Sequence, residues 1–142
     1  MINMRYGSTS VIVDDSNTIL GAAQRPMTER SPCAKRIFVC SPYSGEVERN
    51  VAIARRLCRV VIEAGHSPMA PHLLYPAFMD DADPEDRNRG LRCGLHFLEV
   101  CDEIWIYPYN GLSRGMIKEI VHAARAGVPI LTFPENIADL KG

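Results

Sequence analysis

Four short apolar runs, separated by longer stretches with helical periodicity, constrain the fold of this chain more than any other feature. The runs are Ile37–Cys40, His66–Ala70, Ile104–Tyr107 and Val128–Phe133. Short runs of this kind suit strands that are buried on both faces. Because strands that alternate with helices are joined by right-handed crossovers, the pattern predicts an α/β fold with a parallel sheet.

Helix signals between the runs support the same arrangement. Apolar residues recur at helical spacing over residues 47–61, and Gly65 supplies a stop. Asp83-Pro84 has the form of a helix start, and a third helix is expected from a Ser113 cap to about Ala126. The sequence therefore predicts a single Rossmann- or flavodoxin-like domain, with four to five strands and helices on both faces of the sheet.

Residues 1–36 differ in character from the domain expected at 37–142. Val11–Val13 and Thr18–Leu20 flank four turn-forming residues, and they predict a small hairpin. Gln24–Lys35 is polar and broken by two prolines, which indicates a linker. We therefore expect an N-terminal arm that is used in self-association.

Charge and hydropathy exclude several classes of partner. A formal net charge of −1 over 142 residues leaves no basic footprint for nucleic acid or for an anionic membrane. No apolar run approaches the roughly 20 residues that span a bilayer, and the first residues lack the layout of a signal peptide. The expected partner is a small molecule.

Neither the cysteines nor the acidic residues have the spacing of a metal site. The five cysteines are odd in number and include no CxxC pair, so we expect free thiols in a reducing cytoplasm rather than disulfides or zinc ligands. They are Cys33, Cys40, Cys58, Cys93 and Cys101. The acidic segment at residues 80–86 is expected to be a solvated loop that caps a helix. No metal ion is predicted.

The order of the strands predicts where a ligand would bind. In a sheet of strand order 2-1-3-4 the first and third strands are neighbours, and their following helices leave on opposite faces. This arrangement opens a crevice at the carboxyl ends of the strands, where ligands bind in such folds. Ser41–Gly45 follows the first strand and Ser113–Glu119 follows the third. The working site is predicted where these two segments meet.

The Ser41–Gly45 loop carries two hydroxyls, a phenol and a glycine just before a helix N-terminus. Backbone amides and the helix dipole at such a position favour an anion such as phosphate or carboxylate. The alternative is an ordinary strand-to-helix turn in which Ser44 caps the helix.

Glu119 occupies an unusual position on the third helix. At 100° per residue, an apolar stripe is predicted on one face, made by Met116, Ile117, Ile120, Ala123 and Ala124. The opposite, solvated face is made by Lys118, His122 and Arg125. Glu119 falls on the border, where a half-desolvated carboxylate with a raised pKa suits nucleophilic or acid–base chemistry. The alternative is a solvated side chain.

Three segments resemble the nucleoside 2-deoxyribosyltransferases and their relatives, the 2-deoxynucleoside 5-phosphate N-hydrolases. They are Ile37–Ser41, Cys101–Ile104 and the Ser113-x-Gly115-x-x-x-Glu119 helix start, within a resemblance that covers roughly residues 36–133. The resemblance implies that Glu119 attacks the anomeric carbon of the sugar and forms a glycosyl-enzyme intermediate. It also implies a homo-oligomer, because the sites of that family are often completed by a neighbouring subunit.

Two positions depart from the pattern of the family. The family usually has a tyrosine at the position of Phe38 and an aspartate at the position of Gly94. Several polar side chains are candidates to replace them, namely Tyr43, His72, Arg87, His96 and Glu99. His72 follows the second strand and projects near the crevice, although loop carbonyls could also satisfy it.

These observations lead to a first hypothesis: an enzyme that cleaves or transfers at the N-glycosidic bond of a nucleoside or nucleotide. Glu119 is the expected nucleophile, with Tyr43 and His72 as helpers and no cofactor. The expected substrate-binding residues are Ser41, Ser44, Gly45, Asp102, Ser113, Gly115 and Met116. The alternative is a non-catalytic protein that binds or senses a nucleotide, and a third reading is a related pocket that acts on NAD-like molecules.

Overall fold

The computed structural model describes residues 2–6, 9–13, 19–22 and 34–137 of the chain. The chain divides into two compact units, residues 1–32 and residues 33–142. A three-stranded sheet belongs to the first unit and a four-stranded sheet to the second.

The first unit contains an antiparallel sheet of three strands among its described residues. These are β1 (Ile2–Tyr6), β2 (Thr9–Val13) and β3 (Ile19–Ala22), in the order β1-β2-β3. The β2–β3 pair contains the strands of the predicted hairpin, whereas β1 was missed although its apolar and polar residues alternate. The predicted turn at 14–17, and the part of the predicted linker at 24–33, lie outside the described residues.

The second unit alternates strands and helices in the predicted order. Its strands and α-helices over residues 34–137 are β4 (Arg36–Cys40), α1 (Val47–Glu63), β5 (Ser67–Met69), α2 (Pro84–Glu99), β6 (Glu103–Ile106), α3 (Arg114–Ala126) and β7 (Ile130–Thr132). Short 3-10 helices lie at Pro71–Leu73, Tyr75–Ala77 and Glu135–Ile137.

The four strands of this unit form a parallel sheet in the order β5-β4-β6-β7. This is the predicted order 2-1-3-4, and β4 and β6 are neighbours, with Val39 opposite Trp105. The prediction of a parallel sheet with a switch point between the first and third strands is therefore confirmed.

Helices cover both faces of the sheet. Successive side chains of β4 point to opposite faces, so each face presents apolar side chains to a different set of helices. Ile37 and Val39 pack in a cluster with side chains of α1, whereas Phe38 and Cys40 pack in a second cluster with side chains of α2 and α3. All four of these β4 residues are completely buried. The Rossmann-like α/β fold predicted from the sequence is thus the fold of this unit.

The predicted starts of α2 and α3 are confirmed, whereas the cap offered as the alternative role of Ser44 is not formed. The Ser113 side chain accepts a hydrogen bond from the Met116 amide at 3.2 Å, and Asp83 accepts one from the Glu85 amide at 3.3 Å. Ser44 does not cap α1, whose N-cap position is taken by Glu46 without a side-chain hydrogen bond.

The described cysteines are free thiols in different surroundings. Cys40 is buried, Cys58 and Cys101 are partly buried, and Cys93 is exposed, whereas Cys33 lies outside the described residues. Burial raises the thiol pKa of both Cys58 and Cys101 to about 11. In the described part of the chain, no helix has the length and apolar character needed to cross a bilayer.

Candidate active site

A cavity of about 390 Å³ lies at the carboxyl ends of β4 and β5, beside the start of α3. Its volume falls in the usual range for small-molecule sites. Four segments form its walls: the loop after β4, the 3-10 helices after β5, the first turns of α2 and the start of α3. The site predicted at the switch point of the sheet is therefore a real cavity.

Glu119 lies in the wall of this cavity, and only 2% of its surface is exposed. Desolvation raises the pKa of its carboxyl group to about 8, and the nearby Cys40 thiol offsets part of the rise. The Oε2 atom is buried and has no hydrogen-bond partner among the described residues. Buried carboxyl oxygens are rarely left unpaired, so this atom marks Glu119 as a candidate functional group.

The predicted position of Glu119 on the border between the buried and solvated faces of α3 is wrong, because the residue lies on the buried face. The buried residues of α3 are Met116, Glu119 and Ala123, whereas Ile117 is 46% exposed and Ala124 is exposed as well. The buried face is rotated toward Glu119 because α2 packs beside α3 over Phe38 and Cys40. The carboxyl group is consequently more desolvated than a border position would make it.

His72 faces Glu119 from the turn after β5. Its Nε2 atom is 3.9 Å from Glu119 Oε1, beyond the range of a direct hydrogen bond, and both side chains line the cavity. Burial lowers the pKa of His72, while the Ser41 backbone and the Asp81 charge oppose the change. At neutral pH the site therefore pairs a neutral imidazole with a neutral carboxylic acid.

Tyr43 holds the imidazole in a defined plane. The two rings are stacked with their centroids 5.3 Å apart and an interplanar angle of 14°. Asn50 of α1 holds the loop that carries Tyr43. Its side-chain amide donates to the Tyr43 carbonyl at 3.0 Å and to the Ser44 carbonyl at 3.2 Å. Tyr43, His72 and Glu119, which were predicted as catalytic, are thus brought together.

Gly94, at the position where the resembling family has an aspartate, is closely packed. A Cβ atom at Gly94 would lie 3.2 Å from Pro71 Cγ, so α2 packs directly against the turn that carries His72. Any side chain at position 94 would therefore require Pro71 to shift by a few tenths of an ångström. Phe38 lines the cavity without a hydroxyl group.

Some predicted substrate-binding residues line the cavity and others do not. Ser44, Ser113 and Gly115 line it. Gly45 does not and instead provides a left-handed turn with φ of 93°. The Met116 amide is committed to the Ser113 side chain, and its own side chain is buried in the core. Ser41 is also buried, and its Oγ has no partner among the described residues.

Asp102 is corrected as a site residue. It precedes β6, so it lies at the amino edge of the sheet, whereas the cavity lies at the carboxyl edge. Its carboxylate accepts hydrogen bonds from the Arg36 backbone amide at 2.7 Å and from the Arg36 guanidinium at 3.1 and 3.2 Å. The residue joins two strand starts and is a structural contact.

The candidates to replace the missing aspartate differ in whether they line the cavity. His96 and Glu99 are exposed and do not line the cavity, and Glu99 contacts His122 at 2.8 Å. Arg87 does line the cavity. Its guanidinium group gives the wall made by α2 a positive charge.

Arg114 and Lys118 also line the cavity, and neither was predicted as a site residue. Arg114 lies inside the Ser113–Gly115 motif, which was the available signal. Lys118 was assigned to the solvated face and is exposed there, and helical spacing alone could not show that this face borders the cavity. With Arg87, three cations therefore border the cavity near two helix starts.

The fold and the cavity define an α/β protein with a cavity of small-molecule size at the carboxyl edge of its sheet. Residues 35–133 match the family DUF7768, described as a domain of unknown function, and the chain belongs to this family. No curated protein matches the sequence.

Two solved structures are similar at low sequence identity. A 2-deoxyribosyltransferase of Bacillus psychrosaccharolyticus is 20% identical, with a TM-score of 0.51 over 69% of this chain and 71% of its own. A CMP N-glycosidase of Clostridium botulinum is 21% identical, with a TM-score of 0.46 over 69% of this chain and 67% of its own. The first likeness confirms the fold.

Proposed function

We propose that this protein cleaves or transfers at the N-glycosidic bond of a nucleoside or nucleotide, with Glu119 as the nucleophile. The observation that carries the proposal is the buried Glu119 carboxyl group, whose Oε2 atom has no partner among the described residues and which lines a cavity of small-molecule size. The resemblance of the helix start and the name of the similar 2-deoxyribosyltransferase support the same chemistry.

The chemistry follows from the charge that develops in the reaction. An N-glycosidic bond breaks through a transition state that resembles an oxocarbenium ion, and a carboxylate beside the anomeric carbon stabilises or captures it. A glycosyl-enzyme intermediate on Glu119 then reacts with water, which gives hydrolysis, or with a second base, which gives transfer. No cofactor takes part in either route.

The remaining walls suit the other parts of such a substrate. The Tyr43 ring, in its stack with His72, offers an aromatic surface for a base. Arg87, Arg114 and Lys118 offer positive charge for a phosphate near the start of α3. A nucleotide is therefore the preferred substrate, although a nucleoside contains the reacting bond as well.

The test is incubation with a panel of ribo- and deoxyribonucleosides and their 5'-monophosphates, followed by chromatography for free base. We expect Glu119→Gln to lower base release by orders of magnitude while binding by calorimetry persists, because the amide keeps the shape but cannot form the intermediate. The control is Glu99→Gln, which alters an exposed carboxylate outside the cavity and should leave release unchanged.

Two results would contradict the proposal. Undiminished release by Glu119→Gln would remove the assigned nucleophile. Binding of a nucleotide by both variants without base release from any member of the panel would favour the alternative, a protein that binds or senses nucleotides.

A further inference from the structure

We propose that His72 takes the proton of the Glu119 carboxyl group and delivers it to the departing base. The inference rests on the proposed function, and it assigns one residue to both proton transfers of the reaction. It follows from the geometry of the His72–Glu119 pair, from its place in the cavity wall, and from the state of each group.

The geometry puts the two groups within reach of one another and of a ligand. His72 Nε2 and Glu119 Oε1 are 3.9 Å apart, and a small inward movement on substrate binding would make this a hydrogen bond. The His72 side chain is 21% exposed and that of Glu119 is 3% exposed. Both side chains line the cavity, and the imidazole is the more accessible of the two to a ligand there.

Two constraints keep the imidazole in this position. Tyr43 stacks on one of its faces, which restricts rotation of the ring. Pro71, the preceding residue, packs against Gly94 of α2, which fixes the backbone of the turn. A proton carrier must be positioned before the reaction begins, and these contacts provide that positioning.

The site holds one proton that either group can carry. Burial favours the neutral form of both groups, which leaves the proton on Glu119 in the free protein. Its transfer to His72 creates a carboxylate and an imidazolium, an ion pair stabilised by short distance in a poorly solvated site. Other titratable or charged groups line the cavity or contact Glu119, namely Cys40, Tyr43, Tyr75, Asp81, Asp86, Arg87, Arg114 and Lys118.

The first half of the reaction forms the bond to Glu119. The proton of Glu119 passes to His72, and a carboxylate oxygen of Glu119 forms a bond to the anomeric carbon. The bond from this carbon to the base nitrogen breaks, with its electron pair remaining on the nitrogen. His72 gives its proton to the base, which leaves as a neutral molecule.

The second half reverses the roles. Neutral His72 accepts a proton from water, or from the N–H group of an incoming base, as the oxygen or nitrogen attacks the anomeric carbon. The bond to Glu119 breaks and returns its electron pair to the carboxylate. The proton then moves from His72 to Glu119, which restores the free protein.

Asp81 is the rival proton donor, because it lines the cavity and its charge acts on His72. Asp86 also lines the cavity, but it accepts a hydrogen bond from the Asp80 amide at 3.0 Å within its own loop. Asp81→Asn is therefore the matched control for His72→Gln.

The experiment compares two leaving groups on one sugar. The first substrate is the best nucleoside or nucleotide of the panel, and the second carries 4-nitrophenol on the same sugar, a leaving group that needs no proton. Wild type, His72→Gln, Asp81→Asn and Glu119→Gln are assayed across the pH range, and circular dichroism verifies the fold of each variant. We expect His72→Gln to lose about 100-fold or more with the natural base.

With 4-nitrophenol above pH 8, where Glu119 is ionised without help, His72→Gln should stay within a few-fold of wild type. The profile of the natural substrate in wild type should be bell-shaped, since the pair reacts with one proton bound. In His72→Gln the 4-nitrophenol profile should become a single rising limb. Glu119→Gln should lose activity with both substrates.

The outcomes distinguish this inference from the proposed function. Equal losses with both leaving groups in His72→Gln, no loss with either, or a loss selective for the natural base in Asp81→Asn would overturn the role of His72 while Glu119 stays the nucleophile. Retained activity in Glu119→Gln, or no turnover of either substrate by wild type, would overturn both.

Discussion

Asn50 and Glu119 are buried polar side chains on helices that cover opposite faces of the sheet, and they differ in whether their polar atoms are hydrogen-bonded. Asn50 of α1 donates two hydrogen bonds to carbonyls of the loop after β4. Glu119 of α3 keeps one carboxyl oxygen without a partner among the described residues. Burial of a polar group costs free energy unless it is paired, so the first arrangement stabilises the fold and the second does not.

The difference marks Glu119 as the candidate for function and Asn50 as a structural residue, without reference to any relative. Asn50 uses its hydrogen bonds to hold a loop and shapes the wall of the cavity indirectly. Glu119 lines the cavity, and burial disfavours the ionised form of its carboxyl group. A fold tolerates such a cost where the unpaired group acts on a ligand.

The strongest test of this comparison is the pH dependence of stability. The folded-state pKa of Glu119, about 8, lies above its ordinary value of 4.5, so the folded protein binds a proton that the unfolded chain has lost in this interval. The contribution is fully present below pH 4.5 and is lost as the pH rises through 8, with a slope of about 1.4 kcal/mol per pH unit. Glu119→Gln should remove this slope.

Urea unfolding of wild type and Glu119→Gln between pH 5 and 8.5 measures the effect. The difference between the two curves isolates Glu119 from all other titrating groups. The variant should become progressively more stable than wild type as the pH rises. Parallel curves would mean that the Glu119 carboxyl group is not desolvated in the folded protein.

The next largest effect concerns Asn50, the buried polar residue whose side-chain amide is hydrogen-bonded. Asn50→Ala removes two hydrogen bonds to partly buried loop carbonyls, and we expect a loss of about 1–3 kcal/mol in the free energy of unfolding. Asn50→Asp is the matched variant, because it keeps the size but replaces the donor by an acceptor that faces two carbonyls. It should be no more stable than Asn50→Ala at neutral pH, and a stable Asn50→Asp would contradict the structural role.

Much of this arrangement could be predicted from the sequence, because the relevant signals are local. Ser113 before a helical stripe and Gly127 after it gave the bounds of α3 correctly. The apolar runs between helical stretches predicted the parallel sheet, and its strand order was taken from the doubly wound type of fold. The position of Asp102 could have been excluded in the same way, since a residue before a strand lies at the edge away from the site.

What could not be predicted depends on contacts between distant segments. The depth of Glu119 is set by α2, which packs beside α3, and periodicity within α3 places the apolar stripe without reference to that neighbour. The Asn50 hydrogen bonds reach back seven and six residues to a loop, and no helix-capping pattern describes them. The approach of His72 to Glu119 joins positions 47 residues apart.

The smallest expected effect concerns the turn that carries His72. Close packing of Pro71 against Gly94 fixes this turn, as the hydrogen bonds of Asn50 fix the loop after β4. Gly90 and Gly94 both lie in α2, so alanine should gain up to about 1 kcal/mol of helix propensity at either position. A Cβ at Gly90 meets Tyr75 Cβ at an ordinary 3.7 Å, whereas a Cβ at Gly94 meets Pro71 Cγ at 3.2 Å.

Pro71 cannot rotate away, because its ring is closed onto the backbone, so relief at Gly94 must move the turn and His72 with it. We expect Gly90→Ala to be more stable than Gly94→Ala by about 1 kcal/mol in urea unfolding, since only the former keeps the full propensity gain. Gly94→Ala should also slow base release, whereas Gly90→Ala should not. Equal stability and equal activity of the two variants would show that the turn yields freely, and that the close contact with α2 does not position His72.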